Sequence, residues 1–351
     1  MRKERIRASP QFRDGRFHNT AGVGPDLQGR SLPVMRDFLF GGRSRRPRIT
    51  IPVDDPRPTW VAPAASGLRI TWLGHSTLVI EIDGVRVLTD PVFGPRASPF
   101  SFIGPKRFHP VPVTIAQLPP LEVVLLSHDH HDHLDPSSIR ALAERRVPFV
   151  TSLGVGARLE RLGVDSRVIT ELDWWEEYTL PGGALSFTAT PAQHFSGRAV
   201  FDRNTTLWSS FVIASERRRL FFSGDTGLTD ELREIGRRFA PFDVSLIEIG
   251  AWHPAWGAIH LGPAGAVRVH EMLGGANRAG AFIPIHWATF DLALHAWDEP
   301  IETMLSLAAP AGLRLLTPRI GRPIEPRDVD GPTPWWRAPS SSSSRVSDAH
   351  A

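Results

Sequence analysis

The stretch "VVLLSHDHHDHLDP", residues 123–136, places four histidines and two aspartates in six consecutive positions, one residue after a run of hydrophobic side chains. Such an apolar run is typical of a strand that is buried on both faces of a sheet. Polar side chains at the carboxyl end of a strand in a layered α/β protein line the ligand-binding crevice. Imidazole and carboxylate groups are good ligands for zinc and similar ions. The stretch therefore predicts a buried strand that ends in a metal site.

The spacing within the cluster supports this interpretation. His128 and His130 are two residues apart on an extended loop and point the same way. Asp132 and His133 follow on the turn into a predicted helix over 136–146, which Asp135 caps. A cation removes the cost of crowding these groups together. The alternative is a solvated histidine-rich loop, and the H-x-H-x-D-H spacing favours the metal site over it.

More polar residues recur in the same setting along the chain. The segments "SFTATPAQH", "LFFSGD" and "FIPIH" each end in a candidate ligand, and "LTDP" carries a carboxylate after its strand. Because the carboxyl ends of strands meet at one crevice, these side chains are expected beside the first cluster. They are Asp90, His194, Asp225 and His286.

Apolar runs alternate with helical patterns through the body of the chain. Asp83-Gly84 is a hairpin signal between two strands within 77–90. Strand pairs that follow one another early in the chain argue against a purely parallel, doubly wound sheet, so a layered α/β domain is expected. Further strands are predicted over 68–74, 121–127, 184–190, 207–215, 219–225, 243–250 and 281–286, and further helices over Thr229–Phe239, Gly262–Leu273 and Pro300–Leu307.

Composition limits the class of protein. The chain has 351 residues, 41% of them hydrophobic, and no apolar run of the roughly 18 residues that would span a bilayer. The basic amino terminus lacks the apolar core of a secretory signal, so a cytoplasmic location is expected, with peripheral membrane contact left open. There is no cysteine, so any metal site must use histidine, aspartate or glutamate.

Charge divides the chain into an arm and a body. Residues 1–48 carry twelve Lys/Arg against four Asp/Glu, whereas the rest carries 28 against 33. Such an arm could dock on an anionic membrane or on phosphate-rich ligands, and a solvated arginine-rich segment is the alternative. We expect a basic amino-terminal extension over 1–65 that packs on or precedes the core, a hydrolase domain over 66–325, and a Pro/Ser-rich, disordered tail over 326–351.

The motif "HDHHDH", with His194, "GDTG" and "IPIH" downstream, resembles the metallo-β-lactamase superfamily. The resemblance implies an α/β fold, the αββα four-layer sandwich, with two Zn²⁺ per chain at one edge. It implies that one metal is bound by His128, His130 and His194, that the other is bound by Asp132, His133 and His286, and that Asp225 bridges them.

Longer blocks narrow the resemblance. "LRITWLGHSTLVIEIDGVRVLTDPVF", "GPKRF", "LDWWEE" and "FSGDTG" are similar to the N-acyl-phosphatidylethanolamine-hydrolysing phospholipase D branch over most of residues 66–300. This implies a phosphodiesterase that acts on that lipid, or on a related glycerophosphodiester, through a metal-bridging hydroxide. A lactonase like the L-ascorbate-6-phosphate lactonases and a non-catalytic metal-binding protein stay open as alternatives. A nucleic-acid substrate is not expected, because no basic groove or added domain follows the metal motifs.

Several residues receive roles beyond metal ligation. Asp132 can orient the attacking hydroxide as well as ligate, and Asp90 is interpreted as a carboxylate that fixes a ligating histidine or its loop. His260 resembles an additional active-site histidine of the branch, which could stabilise phosphoryl oxygens or protonate the leaving alkoxide; a structural hydrogen bond is the alternative. For His75 a structural hydrogen bond is preferred.

Tryptophan-rich loops are the candidates for substrate contacts. Trp175, Trp252 and Trp256 could line an apolar groove for acyl chains, and burial in the core is the alternative. The animal members of the branch are membrane-associated dimers, so the resemblance allows a homodimer and peripheral membrane contact. The partner it implies is a phospholipid or a small phosphodiester.

Overall fold

The computed structural model describes residues 2–22, 24, 34, 36, 43–100, 102–199, 201–274 and 280–337. Its strands are β1 (Phe12–Arg13), β2 (Arg16–Phe17), β3 (Leu68–Gly74), β4 (Thr77–Ile82), β5 (Val85–Thr89), β6 (Val123–Leu126), β7 (Phe149–Ser152), β8 (Ile169–Leu172), β9 (Glu177–Thr179), β10 (Ser186–Thr190), β11 (Ser210–Ala214), β12 (Arg219–Phe222), β13 (Val244–Glu248), β14 (Ala281–Ile285), β15 (Arg314–Leu315) and β16 (Pro323–Ile324). The α-helices are α1 (Arg2–Ala8), α2 (Arg57–Trp60), α3 (Pro136–Glu144), α4 (Gly156–Arg161), α5 (Glu231–Phe239), α6 (Gly262–Met272) and α7 (Glu299–Ala308).

Two mixed sheets form the centre of the described part of the chain. Their strand orders are β16-β3-β4-β5-β6-β7-β8 and β15-β14-β13-β12-β11-β10-β9. In the first sheet the pairs from β16 to β5 are antiparallel and those from β5 to β8 are parallel. The second sheet is antiparallel from β9 to β12 and parallel from β12 to β15. The early antiparallel pairs agree with the strand meander that the sequence indicates.

Helices cover the outer faces of both sheets. In β6, Val123 and Leu125 belong to the core between the sheets, whereas Val124 and Leu126 belong to the cluster that includes Ile139 of α3. Residues of α5 and α6 pack into the core together with the second sheet. The layers are therefore helix, sheet, sheet and helix, which confirms the predicted four-layer αββα sandwich. The apolar run before the histidine cluster is apolar throughout because both of its faces are buried.

The predicted strand and helix boundaries agree closely with the observed ones. The β4–β5 hairpin turns at Asp83 and Gly84, which both have positive φ, of 46° and 87°. Asp135 accepts a hydrogen bond from the backbone N–H of Ser138 at 3.0 Å and caps α3, and Pro136 occupies its first turn. The sequence analysis did not identify β7, β8 and β9, which are short and lie in the segment between the histidine cluster and His194.

The start of the amino-terminal arm, residues 2–20, and part of the tail pack on this core. Phe17 of β2 is buried with Trp208 and Trp174 in a hydrophobic cluster that is separate from the main core. The expectation of a disordered tail from residue 326 needs correction for residues 326–337, because Trp335 and Trp336 are buried against Trp287. Two indole rings bury enough apolar surface to hold this segment on the core. The serine tract, residues 340–344, lies outside the described residues.

Within the described ranges, no helix has both the length and the apolar character needed to cross a bilayer.

Candidate metal centre and catalytic cleft

The candidate ligands gather at the edge of the sandwich where parallel strands of both sheets end. The histidine cluster follows β6 and turns directly into α3, with Leu134 N–H bonded to His130 C=O at 2.8 Å. Asp225 follows β12 and His286 follows β14, both in the parallel part of the second sheet. The topology therefore brings segments far apart in sequence to one edge.

The first group consists of His128, His130, His194 and Asp225. One ligand atom from each lies within 4.8 Å of the others. His130 Nδ1 is 2.9 Å from His128 Nε2 and 3.3 Å from His194 Nε2. Asp225 Oδ2 is 3.8 Å and 3.6 Å from the Nε2 atoms of His128 and His194. The three histidines expected to share one ion are thus brought together, with Asp225 beside them.

The second group consists of Asp132, His133 and His286, and His75 joins it within the same 4.8 Å limit. Asp132 Oδ2 is 3.7 Å from His133 Nε2 and 3.5 Å from His286 Nε2. Both carboxylate oxygens of Asp225 approach this group: Oδ1 is 3.2 Å from His286 Nε2, and Oδ2 is 3.1 Å from His133 Nε2. Asp225 therefore lies between the groups, where a bridging carboxylate would stand.

Hydrogen bonds behind the rings fix which nitrogen faces the centre. Asp90 accepts from His133 Nδ1 at 2.6 Å, and it also accepts from the backbone N–H and hydroxyl of Ser127 at 2.8 Å and 2.6 Å. The Ile259 carbonyl accepts from His194 Nδ1 at 2.9 Å. In both histidines this leaves the Nε2 lone pair directed at the centre, as a metal ligand requires. Asp90 stands behind His133, as the sequence interpretation expected.

The electrostatics of the first group suit a cation. Burial, together with the neighbouring histidines, holds the pKa of His128 and His194 well below the usual range, so both rings are neutral. Burial alone would raise the pKa of Asp225, but contact with His133 and His286 holds that pKa well below its usual value. Neutral imidazoles around an ionised carboxylate are the protonation states in which these groups bind metals.

Buried polar atoms in the centre point to an ion as their partner. His133 Nε2, His286 Nε2 and Asp225 Oδ1 have no hydrogen-bond partner among the described residues. Leaving buried polar atoms unpaired is costly, and a divalent ion would satisfy all three. The residues present therefore fit a pair of metal ions, and the donor set of imidazole and carboxylate is the one that zinc prefers.

His260 lies beside the two groups and is held by a buried carboxylate. Its Nδ1 donates to Glu248 Oε2 at 2.6 Å, and Glu248 is fully buried at the end of β13. Burial would lower the pKa of His260, but the adjacent Glu248 raises it above the usual value. Glu248 was not predicted, because it is the last residue of β13 and lies inside the predicted strand over 243–250; the available signal was a carboxylate in an otherwise mostly apolar strand.

His75 contacts the centre more closely than the sequence indicates. Its Nε2 is 3.1 Å from Asp132 Oδ2, and its ring lies 3.8 Å from the His286 ring. The residue follows β3, and its carbonyl accepts from the His286 backbone N–H at 3.0 Å. The structural hydrogen bond preferred for His75 is present, and its acceptor Asp132 is itself a candidate ligand.

Backbone strain is concentrated at this edge. His75, Asp90 and His286 have positive φ values of 53°, 31° and 63°. Residues other than glycine avoid this region at a cost of about 1–3 kcal/mol each, and such strain accumulates where side chains must be aimed at a functional site. The surrounding sheets hold these residues in place as each leaves its strand.

A cleft of about 550 Å³ opens on the centre. Asp132, His260 and the candidate ligands His130, His194, Asp225 and His286 form its polar side. The other walls are largely apolar and include Phe195, Ala199, Ala251, Ala255, Trp256, Ile259 and Leu292, with Arg203 also lining the cleft.

The three candidate tryptophans separate in the structure. Trp256 ends a short 3₁₀ helix, Pro254–Trp256, and lines the cleft. Trp252 does not line it: its ring packs against Gly262, where a Cβ would come within 2.8 Å of the indole. Trp175 packs partly buried on the core, with the Arg238 guanidinium 4.1 Å from its ring centre. The structure thus brings only Trp256 of these three to the described cleft.

Comparison with known proteins agrees with this fold and site. The family model described as "Beta-lactamase superfamily domain" matches residues 85–287. The chain therefore belongs to the metallo-β-lactamase superfamily. It is 41% identical over 330 residues to an uncharacterized protein of Mycobacterium tuberculosis, covering 94% of this chain and 88% of that one.

Some of the similar proteins have names that state an activity. An N-acyl-phosphatidylethanolamine-hydrolyzing phospholipase D of Caenorhabditis elegans is 38% identical over 237 residues, or 65% of each chain. The mitochondrial protein of that name from Saccharomyces cerevisiae is 32% identical over 262 residues, 72% of this chain and 54% of its own. A solved isothiocyanate hydrolase from Delia radicum gut bacteria, 21% identical, shares the fold with a TM-score of 0.58 over 73% of this chain and 98% of its own. This chain is accordingly a metal-dependent hydrolase of the superfamily.

Proposed function

We propose that this protein is a dinuclear zinc phosphodiesterase of phospholipase D type that hydrolyses N-acyl-phosphatidylethanolamine or a related glycerophosphodiester. The observation that carries the proposal is the cleft itself, which joins two groups of candidate metal ligands to largely apolar walls and one arginine. A lipid phosphodiester has the matching parts: an anionic phosphate and apolar chains. The relatives named as phospholipases of this kind support the same substrate class.

The candidate metal ligands divide into two sets. His128, His130 and His194 would hold one ion, Asp132, His133 and His286 the other, and Asp225 would reach both. Two ions held in this way supply an activated water at neutral pH and positive charge for the phosphate oxygens. Asp132 faces the centre from the turn that leads into α3. Its hydrogen bond with His75 Nε2 holds one of its carboxylate oxygens in place. It can therefore also orient the attacking water.

His260 supplies the proton that the leaving group needs. Because Nδ1 is held by Glu248, Nε2 is the nitrogen available to the cleft that His260 lines. The buried Glu248 carboxylate raises the pKa of His260 and so favours its protonated form, which suits Nε2 to donate to the departing alkoxide oxygen. His260 is then a catalytic residue and Glu248 is the positioning residue behind it.

The walls supply affinity for the rest of the substrate. Phe195, Ile259 and Trp256 offer apolar surface to acyl chains, and such surface contributes binding energy only when a chain is present. Arg203 lines the same cleft and presents a guanidinium, a group suited to phosphate oxygens.

The test is a substrate comparison on protein whose metal content has been measured. N-acyl-phosphatidylethanolamine, a small soluble phosphodiester, a sugar-phosphate lactone and nucleic acid are offered in parallel. We expect release of N-acylethanolamine and phosphatidate, slower cleavage of the small phosphodiester, and no nucleic-acid cleavage. Rapid lactone opening without lipid hydrolysis at full metal occupancy would transfer the assignment to the lactonases.

A further inference from the structure

The start of the amino-terminal arm, residues 2–20, reaches the candidate metal centre through one buried side chain. Asn19 is 5% exposed, and its amide pairs with both backbone groups of His194. Its Nδ2 donates to the His194 carbonyl at 2.8 Å, and its Oδ1 accepts from the His194 N–H at 3.1 Å. This is the pairing that a neighbouring strand makes with one residue of its partner. The arm thus holds the backbone of a candidate metal ligand.

Trp208 determines which way the Asn19 amide faces. The indole Nε1 donates to Asn19 Oδ1 at 3.0 Å and to the Ala192 carbonyl at 2.9 Å. Two donors, the indole and the His194 N–H, converge on the same oxygen. With the amide turned over, its NH₂ group would face both donors. An aspartate would also fail here, because its second oxygen would face the His194 carbonyl.

The arm is anchored at two points that precede this contact. At its start, Arg2 pairs with Glu160 at 2.7 Å in an ion pair that fastens α1 to the core. Closer to Asn19, Phe17 is fully buried and its N–H donates to the Asn204 carbonyl at 2.8 Å. Asn19 therefore follows an anchored residue by two positions, and its place is fixed by the arm as well as by His194.

The His194 side chain is held from a different direction. Its Nδ1 donates to the Ile259 carbonyl, and its Nε2 is 3.3 Å from His130 Nδ1, inside the first group of candidate ligands. The carbonyl of Ile259 fixes the ring, and Asn19 fixes the backbone from which the ring projects.

We infer that Asn19 is a positioning residue that holds His194 Nε2 in place for the ion it would share with His128 and His130. The inference rests on the proposed metal centre, and it makes the amino-terminal arm a working part of that centre. Loss of outer hydrogen bonds to a metal ligand commonly weakens metal binding by 10–100-fold. Because Asn19 supports one group of ligands and does not contact the other, one of the two ions should be affected.

The experiment measures zinc affinity by chelator competition on the full chain, resolving the two equivalents. Asn19→Ala should weaken one equivalent by about 10–100-fold and leave the other within about threefold of the wild type. Thr20→Val is the matched control, since it removes the 2.7 Å bond between the Thr20 hydroxyl and Glu231 on the same arm without touching His194. It should bind both ions as the wild type does. Amide hydrogen exchange in metal-free protein should show faster exchange at His194 in Asn19→Ala alone.

Other outcomes overturn the inference in distinguishable ways. Unchanged binding of both ions by Asn19→Ala, with two ions on the wild type, contradicts the role of Asn19 and leaves the proposed centre intact. Equal weakening of both ions together with a lower melting temperature would make Asn19 a purely structural residue. A wild type that binds no ion overturns the centre and this inference together. Should Asn19→Ala fail to fold, Asn19→Ser, which is polar but too short to span both backbone groups, carries the same expectations.

Discussion

Single side chains at the edge of the sandwich act in pairs, one facing the centre and one behind it. Asp90 stands behind His133, and Glu248 stands behind His260. In the proposed mechanism the residue in front would supply the chemistry, and the residue behind it would set which nitrogen is presented. Substitution of the front residue and of the rear residue should therefore have different effects.

His260→Ala should reduce kcat by about 10²–10⁴, the range for loss of a general acid, while the protein keeps its metal content. The reason is that His260 faces the cleft and belongs to neither ligand set. His253→Ala is the control, because His253 lies in the same loop and caps the short helix Pro254–Trp256 without lining the cleft. Steady-state kinetics measures kcat for each variant, and metal analysis of each preparation measures its metal content. Loss of metal, or normal turnover, in His260→Ala contradicts the assignment.

A second prediction concerns a histidine far from the centre. His270 of α6 is buried, its Nδ1 accepts from the Ser245 hydroxyl at 2.7 Å, and burial lowers its pKa to about 4. In the unfolded chain the pKa is about 6.5, so its contribution is fully present above pH 6.5 and is lost as pH falls towards 4. Between about pH 7.5 and pH 5 the wild type should lose about 2 kcal/mol more unfolding free energy than His270→Gln.

Denaturant titrations of metal-free protein at several pH values measure this difference. Removal of metal keeps ligand protonation the same in the two proteins. Parallel pH profiles for the wild type and His270→Gln would show that His270 does not contribute to acid sensitivity.

At the scale of elements, loops between strands shape the cleft while the strand ends supply its ligands. The loop from Ala251 to His260 contributes Trp256, Ile259 and His260 to the cleft and turns Trp252 away against Gly262. The "LDWWEE" loop, by contrast, packs Trp175 on the core. Selectivity for acyl chains should therefore depend on the first loop.

Trp256→Ala should lower kcat/KM for a micellar lipid phosphodiester by about tenfold or more, because it removes apolar surface that only an acyl chain can use. The same variant should change hydrolysis of a small soluble phosphodiester by less than about threefold. Trp175→Ala serves as the comparison and should affect both substrates alike, through stability. Equal losses on the two substrates for Trp256→Ala would remove it from the lipid site.

At the scale of the whole molecule, sequence patterns predicted a layered α/β domain whose candidate ligands lie at one edge, and the resemblance to the superfamily supplied the four-layer sandwich. The run before His128 is apolar because both of its faces are buried, and the ligands follow strands because parallel strands end at one edge. Glu248 was missed because it is the last residue of its strand and does not follow it. Asn19 could not, because its role depends on where the arm folds back, which no local pattern encodes. Trp335 and Trp336 were missed because a Pro- and Ser-rich segment with few apolar residues gives no periodic signal.

The central claim is a centre of two metal ions built from segments spread between residues 128 and 286. Elemental analysis of the full chain after zinc supplementation and removal of loosely bound metal tests it most directly. We predict close to two equivalents of zinc per chain, because three histidines would serve one ion, Asp132, His133 and His286 would serve the other, and Asp225 would reach both. Consistent recovery of one equivalent or none would contradict the dinuclear centre and the chemistry proposed to depend on it.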